Sequence, residues 1–132
     1  MPLISAIRHL CLLGFLVGAV PAVAAEPPTH FYCNLKAFTP AEREVHSQLS
    51  QELLAAVRET VELENGFALR MDIQKAPLVT LARWVDGERR CCPFLRFEIA
   101  KEPQDGPVWL RLSGAPGVKD FLRAELGLGT RR

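Results

Sequence analysis

From Thr39 onward, the apolar positions switch between helical spacing and simple alternation. Val45, Leu49, Leu53, Ala56 and Val57 recur at helical intervals, while Glu42, Arg43, His46, Gln48 and Glu52 fall largely on other faces. Thr39 as N-cap, Pro40 in the first turn and Glu42 three residues on make a capping box. The pattern predicts a helix that ends near Arg58. Val61 and Leu63 then alternate with Thr60, Glu62 and Glu64, and Phe67, Leu69 and Met71 alternate with Ala68 and Arg70. Asn65-Gly66 between them is a strong hairpin signal, because both residues tolerate positive φ.

A second helix is expected from about Pro77 through Leu78, Leu81, Ala82, Val85 and Arg89 to Cys92, where Pro93 closes it. Gly87 weakens its last turn, since glycine is about 1 kcal/mol poorer than alanine inside a helix. Leu95, Phe97 and Ile99 alternate with Arg96 and Glu98, then Val108, Leu110 and Leu112 with Trp109 and Arg111. Gln104-Asp105-Gly106-Pro107 supplies the turn of this second hairpin. A last helix starts around Pro116, presents Val118, Phe121, Leu122 and Leu126, and ends at Gly127.

The order predicts an α+β two-layer sandwich, with an antiparallel four-stranded sheet made of two hairpins and three helices (α-ββ-α-ββ-α). Its open face should carry Glu62, Arg70, Arg96, Glu98, Trp109 and Arg111, either as a solvated surface or as a homodimer or protein-partner surface around Trp109.

The chain of 132 residues opens with a leader that changes how the rest is read. Arg8 and His9 precede an apolar run from Leu10 to Val20, and Ala22-Val23-Ala24 fits a cleavage site. These are the parts of a secretory signal peptide spanning 1–24, and the apolar run is shorter than a bilayer-spanning helix needs. Expected boundaries are a tether over 25–38, a single domain over 39–128 and a frayed tail over 129–132. The expected location is periplasmic or secreted, with no stable membrane span after cleavage. Of the 16 basic residues only Arg8 lies in the leader, so the remainder balances its 15 acidic residues. That neutrality gives a polyanion no purchase, and nucleic-acid binding is not expected.

The candidate chemistry lies in the cysteines. Cys11 sits in the leader without a lipobox ahead of it, leaving Cys33, Cys91 and Cys92. Consecutive Cα atoms are about 3.8 Å apart, short of the roughly 4.4–6.8 Å of ordinary disulfides, so a Cys91–Cys92 bond would be strained. Cys33 bonded to Cys91 or to Cys92 is the easier link. Alternatively, the three thiolates with His30 make a soft-metal set suited to Zn or Cu. Adjacent side chains on a helix point apart, so this requires the backbone to turn at Pro93. A reactive thiol is a third reading, with Glu88 and Arg89 modulating it and Arg90 and Arg96 nearby. A non-enzymatic interaction domain with structural cysteines is the bland alternative. No Ser-His-Asp set and no phosphate loop are apparent, and His46 reads as a solvent-facing residue.

The stretch Glu88-Arg89-Arg90-Cys91-Cys92-Pro93-Phe94-Leu95-Arg96-Phe97, with Gly106-Pro107-Val108-Trp109-Leu110-Arg111-Leu112 and Gly114-Ala115-Pro116-Gly117-Val118, resembles short bacterial proteins of uncharacterised function. Their most specific signature is E-R-x-C-C-P-F. The resemblance runs from about Cys33 to Leu126 and includes Leu63-x-x-Gly66-Phe67. It implies one compact domain and carries no activity. The leader departs from the leaderless form of those proteins.

Overall fold

The computed structural model describes residues 31–129; the expected leader 1–24, His30 and residues 130–132 lie outside the described residues. Helix α1 spans Pro40–Ala55 and begins as its capping box dictates. The Thr39 N–H donates to Glu42 Oε2 at 2.8 Å, and the Glu42 N–H donates to Thr39 Oγ1 at 3.3 Å. The helix stops short of Arg58. The Ala56 carbonyl accepts the Asp72 N–H at 2.8 Å, and β-branched Val57 pairs with Met71 in the sheet.

Strand β1 (Val57–Leu63) and strand β2 (Gly66–Met71) form the first hairpin. Glu64 and Asn65 make its loop, and Gly66 already pairs with Leu63 as the first residue of β2. Gly66 is needed for close approach across the sheet, since a Cβ there would stand 2.0 Å from the Leu112 carbonyl oxygen. Helix α2 (Leu78–Cys91), strands β3 (Arg96–Lys101) and β4 (Val108–Ser113), and helix α3 (Val118–Leu126) complete the α+β architecture. Gly127, left-handed at φ 63°, terminates α3 as its position suggests.

The four strands are antiparallel in the order β1-β2-β4-β3, so the hairpins join through β2 and β4. Phe67, Leu69, Met71, Val108, Leu110 and Leu112 line one face of these central strands and are buried against the helices with Leu53, Leu81, Trp84 and Leu122. The edge strands are less covered, and Val61 and Ile99 remain 39% exposed.

The expected face of β1 is reversed. A bulge falls between Val57 and Glu59, after which Glu62 lies opposite Phe67 and Val61 opposite Ala68. Glu62 therefore looks toward α3, where it meets Lys119 at 2.7 Å and Arg123 at 2.9 Å. The open face instead carries Glu59 with Arg70 (2.9 Å), and Glu98 with Arg96 (2.6 Å) and Arg111 (3.9 Å), beside half-buried Trp109. No helix among the described residues is long and apolar enough to cross a membrane.

Residues 31–38 are not a free tether. Phe31 packs on Phe94 at 5.0 Å between centroids, Leu35–Ala37 form a 3₁₀ turn, and Phe38 is buried. The Asn34 N–H donates to the Cys91 carbonyl at 2.8 Å. Arg43 donates to the Leu35 carbonyl at 3.2 Å and Arg90 to the Ala37 carbonyl at 2.6 Å. This docking brings Cys33 to the end of α2.

Candidate functional site

Pro93 sets the site by ending α2. Cys92 caps the helix with φ −122° and ψ 64°, outside the α region that a residue before proline avoids. The backbone turn that a shared thiol site requires is thus present. The sulfurs of Cys91 and Cys92 lie 3.6 Å apart although the residues are adjacent. Cys92 is bonded to Cys33, with Cα atoms 5.0 Å apart, and Cys91 remains a buried free thiol. Cys33, Cys91, Cys92 and Glu88 each offer one donor atom, and all four atoms lie within 4.8 Å of one another.

Glu88 is the only buried charged residue among those described. One oxygen, Oε2, sits 3.8 Å from the Cys91 sulfur, and the other, Oε1, is 2.8 Å from His46 Nε2. His46 is far from a solvent residue. Its ring is stacked between Phe38, 5.0 Å away, and Trp84, 6.3 Å away. Gly87 makes this possible, because a Cβ at that position would lie 2.3 Å from His46 Nδ1. The glycine that weakens α2 as a helix is the gap through which α1 delivers its histidine. Trp84 is fully buried; its Nε1–H donates to Ser50 Oγ at 2.9 Å, and that hydroxyl donates to the His46 carbonyl at 2.9 Å.

The other sequence-nominated residues are placed differently. Arg89 pairs with Asp86 at 2.6 Å on an exposed surface and does not reach the thiols. Arg90 stays near them, clamped between Glu42 at 3.2 Å and the Phe38 ring, 4.9 Å from its centroid. Arg96 is held by Glu98. His30 lies outside the described residues. His46 and Trp84 were missed because their partners stand 42 and 34 positions away in the chain. Gly87 inside an otherwise regular helical pattern was the one available signal.

Burial, followed by the Glu88 carboxylate, pushes the Cys91 thiol up to about 12 from 9.0, with Arg90 opposing weakly. Cys91 is therefore a thiol, not a thiolate, at neutral pH. In the native protein it should react with iodoacetamide far more slowly than in the unfolded chain, and Glu88→Gln should increase that rate. Mass spectrometry of timed quenches measures both; equal native and unfolded rates would contradict the burial account. A thiol that titrates near 9.0 unfolded and about 12 folded retains its proton longer in the native state. Its contribution to stability is full below the lower value and declines as pH rises through the higher one.

Comparison with protein-family models, with curated proteins and with solved structures finds no match to this chain.

Proposed function

We propose that this protein binds a soft, thiophilic ion through Cys33, Cys91 and Cys92, with Glu88 as an oxygen donor, and that the Cys33–Cys92 bond switches the site. The observation that carries the reading is the convergence of three sulfurs and one carboxylate within 4.8 Å. A tetrahedral ion with bonds of about 2.3 Å to sulfur and about 2.0 Å to oxygen separates its donors by about 3.5–3.8 Å. The Cys91–Cys92 and Cys91–Glu88 spacings of 3.6 and 3.8 Å agree with that. Thiolate-rich sets favour zinc, monovalent copper and other soft ions. The bond from Glu88 to His46 supplies the outer support that fixes a carboxylate donor.

In the disulfide form two of the three sulfurs are committed to each other. A dithiol supplies two electrons and two protons and itself becomes a disulfide, whereas a phosphine supplies the two electrons and takes its oxygen from water, which gives the two protons. Either converts the bond to two thiols, and binding then displaces protons from sulfur. In the exported setting that the leader implies, the bonded form is the resting one.

The test is native mass spectrometry with equilibrium dialysis against Zn²⁺ and against arsenite, before and after phosphine reduction. One ion per reduced chain is expected, with binding at least about 100-fold weaker in the oxidised protein and in reduced Cys91→Ser, because even outer-sphere losses weaken metal sites by 10–100-fold. Reduced protein that takes up neither ion leaves the cysteines a purely structural role and overturns the proposal.

A further inference from the structure

We infer that the ligand of this site is a soft element carrying one apolar organic group, rather than a bare ion. The inference rests on the soft-ion reading above and concerns the space beside the thiols. A cavity of about 340 Å³ opens on Cys33, Cys91, Glu88 and His46, and Cys92 is not among its walls. Two of the three cysteines, Cys33 and Cys91, thus line the cavity, while Cys92 does not and has no solvent exposure. Apolar side chains, Phe121 and Leu126 among them, make most of the remaining wall, and Arg43, Ser47, Ser50 and Glu125 add polar groups to it. Phe121 is braced edge-on by Phe94 at 5.0 Å and flanked by Phe31 at 6.3 Å.

A bare ion has no use for that volume, because its donors surround it within bonding distance. A small organic ligand does, since sites for such ligands are apolar cavities of about 300–1,000 Å³ with a few placed polar groups. Here the polar groups include a thiol pair and the Glu88 carboxylate, with Arg43 and Glu125 also on the wall. Trivalent arsenic bearing an aryl group is a suitable probe. Its oxide reacts with two thiols, forming two arsenic–sulfur bonds while the oxygen leaves as water with both thiol protons. Arsenic stays trivalent, and its third valence is already filled by carbon. Arsenite has no carbon and needs all three thiols, releasing three waters.

The experiment titrates the phosphine-reduced full-length protein with phenylarsine oxide, methylarsine oxide and arsenite, followed by native mass spectrometry and competition. The two organic oxides share the same sulfur chemistry and differ in apolar area. Burial of about 100 Å² more on the phenyl compound predicts roughly 50-fold tighter binding than the methyl compound. Cys92→Ser should keep the phenylarsine oxide complex and lose at least tenfold in arsenite affinity. Leu126→Trp, which narrows the cavity, should erase the phenyl preference and keep methylarsine oxide binding. Equal affinity for the two organic oxides, with both bound one per chain, overturns this inference and leaves the soft-ion reading standing. Failure of all three compounds to bind reduced wild type removes the soft-ion reading itself. The wild-type comparison decides the matter even where a variant does not fold.

Discussion

Replacing Trp84 by alanine is expected to lower the free energy of unfolding by about 3–5 kcal/mol, a large part of the total for a small protein. Trp84 is fully buried, meets Phe97 edge-on at 6.1 Å and stacks near His46. Alanine would leave a cavity between α2 and the sheet and would free the His46 ring from one of its two aromatic walls. Trp84→Phe keeps an aromatic surface but loses the donor to Ser50 and part of the buried volume, so about 1–3 kcal/mol is expected. Urea unfolding followed by circular dichroism measures both. A loss under 1 kcal/mol for the alanine variant would mean that the tryptophan is not the centre of the helix–sheet contact.

The second large effect is the disulfide. Cys33 and Cys92 are 59 positions apart, and closing a loop of that length is worth about 4 kcal/mol in the chain-entropy picture. Cys33→Ser and Cys92→Ser should each lose about that much without reductant, and phosphine treatment should bring the wild type to the same level. Cys91→Ser should retain the sensitivity to reductant. Unfolding curves with and without phosphine make the comparison, and a wild-type curve indifferent to reduction would rule out a stabilising link.

Much of the architecture was readable because its signals are local. Thr39, Pro40 and Glu42 lie within one turn, and alternation through Phe67–Met71 and Val108–Leu112 marks strands buried on one face. The edges were less legible. In β1 the alternation places the apolar residue Val61 inward, yet a bulge and two cations on α3 turn Glu62 toward the helices instead. Charge complementarity between residues nearly sixty positions apart has no signature in a periodicity. For the same reason the thiols and their chain neighbours Glu88 and Arg90 are legible in the sequence, and His46 and Trp84 are not. Adjacent cysteines before a proline stand out in the chain, whereas the His46–Glu88 contact exists only once α1 has packed across Gly87.

The docking of residues 31–38 has a kinetic consequence. Asn34 is held to the Cys91 carbonyl, and Arg43 and Arg90 grip the carbonyls of Leu35 and Ala37, all without using the sulfur–sulfur bond. Reduction therefore leaves Cys33 tethered beside Cys92 at a high effective concentration. Re-formation of the bond still needs an external disulfide or other two-electron oxidant to take up the electrons and protons, but the two thiols it joins are already side by side in the folded molecule, with no search by a loose chain end. On the soft-ion reading proposed above, opening and closing the site would then require only the sulfur–sulfur bond to change, with residues 31–38 staying docked.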